Sequence, residues 1–337
     1  MLNSVSFMHK NEVVAETLAS FPDTPNRTLA RTLHKLHQRM FPSVEIARSA
    51  IRMLRGSNGS KNRKYHHLVG NHHRKELGWQ ALLPKPLPQG DEPVALPFPS
   101  KVLVLSDIHL PYHDNPAVKA VIREGLKQGV TDILLNGDTM DNYSWSRFEP
   151  DVRKRDPKAE LDSVRVFLKA LRKAFPKARI WFKNGNHEDR WYAYMNRHAP
   201  VLLQTQSFNL AEQLGFATLG IHEIGSRQLI TAGSLLIVHG HEISKGVQSP
   251  LSPARRLWMA FEQDVLGGHF HQESVYDNVS GLPKRHGRSW TTGCLCYLHP
   301  DYAPVNKWSH GAAIVRLDKH GRHSVQLLTV ENGKVVK

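Results

Sequence analysis

A chain of 337 residues, 40% of them hydrophobic, can build one substantial core with an appended module and lies far from the composition of a disordered polymer. Its two cysteines, Cys294 and Cys296, sit too close on one strand-like run to close a useful loop, so a reducing cytoplasm is expected rather than secretion as a disulfide-stapled domain. The start lacks a secretory signal pattern, no apolar run reaches membrane-spanning length, and a formal charge of +15 directs attention to polyanionic partners instead of a bilayer interior.

The positive charge is concentrated at the amino terminus. Residues 1 to 75 hold 13 Lys or Arg against 4 Asp or Glu, a net of +9. Within this stretch, "RTLARTLHKLHQRM" at 27 to 40 repeats Leu29, Leu33, Leu36 and Met40 at helical spacing, with a basic opposite face. A second helix follows in "FPSVEIARSAIRMLRG", capped by Ser43 and stopped at Gly56, with Arg48, Arg52 and Arg55 available on its surface. The pair reads as a basic helical module over residues 1–80. It is either a helix-turn-helix that contacts nucleic acid or a helical arm docked on a neighbouring surface. "SKNRKYHHLVGNHHRK" is either a basic loop that orders on phosphate or a soluble linker.

Six prolines between Pro84 and Pro99 deny donors to any ladder, which makes residues 81–99 a stiff connection and places a domain over 100–337. The period then changes. "KVLVLSD", "TDILLNGD" and "KARIWFKNGNH" read as buried strands alternating with the helices "NPAVKAVIREGLKQG" and "KAELDSVRVFLKALRKAFP", an α/β pattern. Beyond residue 216 shorter runs dominate, including "SLLIVHG", "DVLGGHFH", "SWTTGCLCYL", "GAAIVRLD" and "HSVQLLTVE". A second sheet packed against the first is expected.

Polar groups follow the strands at five places: Asp107 and His109, Asp138, Asn186 and His187, His239 and His241, and His269 and His271. Any one histidine after a strand is more often a hydrogen-bonded surface residue than a ligand. Groups at the ends of successive α/β strands converge in space, however, and carboxylate with imidazole suits a pair of Mn, Fe, Zn or Ni ions.

The five groups, "DIH" at 107 to 109, "GDTMD" at 137 to 141, "GNHE" at 185 to 188, "HGH" at 239 to 241 and "GHFH" at 268 to 271, resemble the calcineurin-like metallophosphoesterase superfamily over roughly residues 100 to 320. The resemblance implies a four-layer α/β/β/α sandwich and two divalent ions, Mn first, with Fe, Zn, Ni or Mg as alternatives. It implies that Asp107, His109 and His271 hold one ion, that Asn186, His239 and His269 hold the other, and that Asp138 bridges them. It implies further that His187 would face the scissile phosphate as leaving-group acid, with Asp141 or Glu188 as the carboxylate that orients it, and it leaves His241 as either a substrate contact or loop support. A basic helical arm ahead of such a domain is also similar to phosphoesterases of bacteriophages and prophages, which would place the chain in a host cytoplasm.

Around these motifs, Tyr143, Trp145 and Arg147, with Arg190 and Trp191, mix stacking surfaces with cations and suit nucleic-acid bases and phosphates, although aromatics also fill the space beneath long loops. The leading expectation is a DNA or RNA phosphodiesterase; a small nucleotide or other phosphorylated metabolite is the alternative substrate. A protein phosphatase is disfavoured because Asn142 and Tyr143 follow Asp141 where that branch carries Arg-Gly. A non-catalytic nucleic-acid-binding protein is disfavoured because the ligand set and His187 are all present.

Overall fold

A computed structural model describes residues 9–55, 90–147, 151–243, 252–279 and 286–336. The basic stretch from Ser60 to Lys75 and residues 81–89 of the proline-rich connection lie outside the described residues. The chain divides into two compact units, Met1–Pro88 and Gln89–Lys337.

The first unit has three helices, α1 (Lys10–Ser20), α2 (Asn26–Leu36) and α3 (Val44–Arg55). Leu29, Ala30 and Leu33 on α2 meet Ala47, Ile51 and Leu54 on α3 and Val14 and Leu18 on α1, with Phe41 fully buried between them. The sequence reading missed α1 and carried α2 too far. Pro42 disfavours helix at Phe41, and His34 Nδ1 lies 2.7 Å from the Phe41 carbonyl, so the chain leaves the helix after Leu36. The link to α3, residues 37–43, is longer than the tight turn expected of a helix-turn-helix. Arg55, read as available, donates to Asn26 Oδ1 at 2.5 Å and to the Pro22 and Thr24 carbonyls at 2.7 and 3.0 Å, tying the end of α3 to the start of α2.

The second unit runs β1 (Val94–Ala95), β2 (Ser100–Leu105), α4 (Asn115–Gln128), β3 (Asp132–Asn136), α5 (Pro157–Ala174), β4 (Arg179–Lys183), α6 (Glu188–His198), α7 (Leu210–Leu214), α8 (Phe216–Leu219) and β5 (Ile221–Ile224). It continues through β6 (Ile230–Ala232), β7 (Leu235–Ile237), α9 (Pro253–Phe261), β8 (Val265–Gly267), β9 (Ser274–Val279), β10 (His286–Thr291), β11 (His310–Leu317), β12 (His323–Glu331) and β13 (Lys334–Val336). Asp114 and Asp156 cap α4 and α5 by accepting from Ala117 N at 2.8 Å and Ala159 N at 2.9 Å, each ahead of a proline in the first turn, where its missing N–H costs nothing.

The strands form a seven-stranded sheet ordered β13-β12-β11-β2-β3-β4-β5 and a six-stranded sheet ordered β1-β6-β7-β8-β10-β9. β2 to β5 are parallel, whereas β11 returns antiparallel to β2. The strands after residue 216 are therefore split: β6 to β10 join β1 in the second sheet, while β5 and β11 to β13 belong to the first. Strand alternation explains the layering. Val102 and Val104 point between the sheets onto Ile230, Ile237 and Leu266, while Leu103 and Leu105 point outward onto Val121 of α4 and Leu171 of α5. Leu257 of α9 covers the far face of the second sheet through Val265 and Leu236. The result is a four-layer α/β/β/α sandwich, with the ends of β2, β3, β4, β7 and β8 carrying the five polar groups.

Candidate active site

Tight backbone turns bring the five groups together. Asp107, His109, Asp138, His269 and His271 all have left-handed φ angles, between 51° and 70°, a conformation that few non-glycine residues adopt and that clusters at functional sites. The turns are laced to one another: His109 N donates to Asp138 O at 2.9 Å, Leu110 N to Thr139 O at 2.9 Å and Gly268 N to His239 O at 2.8 Å. Two glycines are obligatory. A Cβ on Gly137 would lie 2.3 Å from His239 Nδ1, and one on Gly185 would lie 2.3 Å from Asp138 Oδ1.

Each central carboxylate anchors one oxygen on a main-chain amide and turns the other toward imidazoles. Asp138 Oδ1 accepts from His187 N at 2.9 Å, and its Oδ2 lies 3.2 Å from His239 Nε2, 3.8 Å from His187 Nε2 and 3.9 Å from His109 Nε2. Asp107 Oδ2 accepts from His269 N at 2.8 Å, while Oδ1 faces His271 Nε2 at 3.2 Å and His109 Nε2 at 4.0 Å. Ligand-capable atoms within 4.8 Å of one another form three groups: Asp138, His239 and His269; His109, Asp138 and His187; and His109, His271 and Cys296.

The hydrogen bonds behind these atoms test whether cations fit. His239 donates its Nδ1 hydrogen to Asn136 O at 2.8 Å, and His109 places Nδ1 2.9 Å from Asp141 Oδ1. Both histidines then present Nε2 lone pairs inward. His239 Nε2 meets the amide oxygen of Asn186 at 3.2 Å, and His109 Nε2 meets His271 Nε2 at 3.1 Å. Acceptors facing acceptors in a buried site repel unless protons or cations lie among them. Without metal, protons take that place. Burial alone would depress His239 and His271, yet Asp138 beside the first and Asp107 beside the second push each up to about 10. His269 goes the other way, to about 4, through burial and the neighbouring His239. Asp138 is held well below its ordinary range because His239 and His187 outweigh its burial. Two divalent ions satisfy the same acceptors without protonation.

His187 lies beside this cluster, its ring T-shaped to His109 with centroids 4.4 Å apart. Its Nδ1 lies 2.7 Å from the Asp141 carbonyl and 3.3 Å from Asp141 Oδ1, and Arg190 Nη2 lies 2.8 Å from its Nε2. Arg190 Nη1 also donates to the Asp141 carbonyl at 3.0 Å. Asp141 thus contacts both His109 and His187, which hold its carboxyl low despite its burial.

Glu188 does something else, and its expected role as orienter of His187 is corrected. Fully buried, its carboxylate accepts from Gly185 N at 2.7 Å and from Asp138 N and Met140 N at 3.0 Å each, so it clamps the β3 and β4 turns and does not reach the imidazole. A second correction concerns Trp191. It is 5% exposed in the main core and donates its indole N–H to Phe208 O at 3.0 Å, leaving no face on which a base can stack. Trp145 packs edge-on against Trp191 and Tyr194, Tyr143 accepts from Asp151 N through its hydroxyl, and Arg147 is exposed. His241 Nε2 lies 2.9 Å from Ser226 Oγ, which donates to Asp189 Oδ2 at 2.6 Å, so the ring is braced next to His239.

Two features escaped the sequence. Lys183, fully buried, contacts Glu242 at 3.0 Å and the Ser226 and Gln228 carbonyls at 2.8 Å; Glu242 in turn accepts from His239 N and Gly240 N. Cys296 Sγ lies 3.8 Å from His271 Nδ1, behind the ring and away from Asp107. Neither has a local signature, since each depends on contacts between distant segments.

A bridging carboxylate between two groups of imidazoles, with a further histidine and an arginine at their edge, is the centre of a metal-dependent phosphoesterase: ions polarise a phosphoryl group where protein carboxylates alone would repel it. The chain belongs to the calcineurin-like phosphoesterase family, whose model matches residues 100–303. It is 26% identical over 247 residues to the gene 54 protein of Mycobacterium phage L5, covering 69% of this chain and 95% of that protein. Among solved structures it is similar to vacuolar protein sorting 29 from Cryptosporidium parvum (13% identity, TM-score 0.39, 70% of this chain and 94% of that one). It is also similar to YfcE, a phosphoesterase from E. coli (14% identity, TM-score 0.36, 70% and 97%).

Proposed function

We propose that the enzyme is a phosphodiesterase acting on nucleic acid, with manganese as its leading metal. The observation that carries this reading is the net charge of +9 over the first 75 residues, far more than a small phosphorylated metabolite needs and suited to a chain of phosphates. Asp107, His109 and His271 would hold one divalent ion and Asn186, His239 and His269 the second, and Asp138, whose Oδ2 lies within 3.9 Å of the Nε2 atoms of His109 and His239, would serve both. When bound, the two ions supply Lewis-acid stabilisation of the phosphoryl oxygens and activation of the attacking water.

The chain's own residues then handle the leaving group. His187 donates a proton from Nε2 to the departing oxygen, and the Asp141 carbonyl and carboxylate steady the imidazolium through Nδ1. Arg190, in contact with Nε2 in the free enzyme, shifts onto a phosphate oxygen as substrate enters. The burial of Trp191 favours recognition of the backbone over bases, and it also keeps a small phosphoester as the second reading.

The test is hydrolysis of labelled single- and double-stranded DNA, RNA and a small model diester by the full chain with Mn, using His187→Ala to expose contaminating nuclease. Polynucleotide cleavage lost in the variant is expected. Robust hydrolysis of a nucleotide with no cleavage of any polynucleotide would transfer the assignment to the small substrate.

A further inference from the structure

The amino-terminal unit sorts its cations into engaged and unengaged ones. Lys10 sits over the Phe41 ring at 5.1 Å, Arg48 contacts Glu45 at 3.4 Å, and Arg55 is bound to the turn before α2. Arg52 also has a partner. Arg27, Arg31 and Lys35 are exposed and have no ion pair or side-chain hydrogen bond among the described residues. They follow one another at four-residue steps along α2, so they form a ridge on the face opposite Leu29, Ala30 and Leu33, which are buried.

The ridge sets like charges against one another. No Asp or Glu occurs in α2, so like charges neighbour one another one turn apart with no acidic side chain of the helix between them; of the three, Lys35 alone stands in the last turn, where the helix dipole favours a cation. Arg27 stands in the first turn, where the helix dipole disfavours a cation, and no acidic residue occupies that turn. A cationic face whose like charges repel one another and that makes no ion pair or side-chain hydrogen bond among the described residues is arranged for an external anion. Its linear, evenly stepped charges match a repeating polyanion better than a single phosphate.

We infer that Arg27, Arg31 and Lys35 form the seat for the sugar-phosphate backbone of a nucleic-acid strand, held without regard to base sequence. The inference rests on the nucleic-acid reading above and narrows the contact from the two-helix module, whose sequence offered a basic face on α2 and Arg48, Arg52 and Arg55 on α3, to the outer face of α2. Backbone binding of this kind works by counterion release and sets a measurable salt slope.

The test compares the full chain, an Arg27→Ala/Arg31→Ala/Lys35→Ala variant, and a charge-matched variant carrying Lys169→Ala, Lys173→Ala and Lys177→Ala, three exposed lysines of the other unit. Binding to DNA and to RNA of unrelated sequences is measured across salt concentrations in a His187→Ala background, with anionic phospholipid vesicles as a further arm. The ridge variant is expected to bind roughly 10²-fold more weakly near 0.1 M salt, equally for all sequences, and to lose about one unit of salt slope per removed charge. With His187 intact, it should hydrolyse the model diester at the unaltered rate. Equal binding by the ridge variant and the unaltered chain overturns the ridge and leaves the nuclease reading standing, as does an equal loss in the charge-matched variant. Failure of the unaltered chain to bind any polynucleotide overturns both, and ridge-dependent vesicle binding in that case reassigns the surface to a membrane.

Discussion

Replacing Lys183 by methionine tests how the loop carrying His239 is held. Lys183 Nζ ends β4 in a fully buried position, 3.0 Å from Glu242 Oε1, 2.8 Å from the Ser226 and Gln228 carbonyls and 3.3 Å from that of Gly225. The substitution keeps the volume but strands a buried carboxylate and removes the donor shared by three carbonyls. Removing one partner of a buried pair costs about 3–5 kcal/mol, a large part of the stability of an ordinary domain. Urea denaturation should show it as a fall of about 1–2 M in the midpoint. The Lys183→Met/Glu242→Gln double variant should be destabilised by less than the two single variants combined, since neither charge is then left alone. The pair also predicts acid sensitivity. Burial raises the Glu242 carboxyl, but Lys183, joined by His241, His239 and the Gly240 N–H, outweighs it and takes the group from the ordinary 4.5 to about 2. A folded pKa below the unfolded one gives stability that is complete above pH 4.5 and lost as pH falls toward 2, with a ceiling of about 3 kcal/mol. Lys183 is itself pushed down by burial, so the pair as a whole contributes less than that ceiling. A Lys183→Met chain within about 1 kcal/mol of the unaltered protein, with Glu242 still resisting protonation, would refute the reasoning.

Further outcomes follow from the site. His187→Ala should keep its metal content and lose about 10²- to 10⁴-fold in turnover, and unaltered turnover across pH would remove the acid role. Chelation should abolish hydrolysis and Mn restore it, while Asp138→Ala should lower the metal content at both positions in elemental analysis; loss of a single ion would refute the bridge. Asp141→Asn should reduce kcat more than it raises KM, because its carboxylate contacts both His109 and His187. Glu188→Gln should act mainly on stability, since one amide oxygen cannot serve three main-chain donors; a larger kcat effect for Glu188 than for Asp141 would reverse the assignment.

What was legible in the sequence was periodic or local. Val102 to Leu105 alternate between two cores, and every cluster residue follows a strand by a few positions, so convergence could be expected from the strand ends alone. Long-range pairing was not legible. Lys183 reads as the polar end of a strand until Glu242 is placed against it, and Glu188 reads as a neighbour of His187 until its side chain turns back onto the amides of Asp138, Met140 and Gly185. Trp191 illustrates the same limit from the apolar side. Its helix shows an aromatic among charges, and only the packing of Phe208 and Trp145 around it decides that the indole is core.

The left-handed backbone at the metal-facing residues makes loss of function thermodynamically easy. Asp107, His109, Asp138, His269 and His271 each hold a conformation that glycine adopts freely and that costs another residue on the order of 1 kcal/mol. His269 is the clearest case: its main-chain N–H holds Asp107 Oδ2, a bond that glycine preserves, while its imidazole makes no hydrogen bond among the described residues. In the absence of metal, His269→Gly should therefore melt no lower than the unaltered chain, and added divalent ion should reverse the order by stabilising only the chain that can bind it fully. Catalysis is thus retained against a standing drift toward a quieter, more comfortable loop, and the bound ions are what make the strained version the more durable protein.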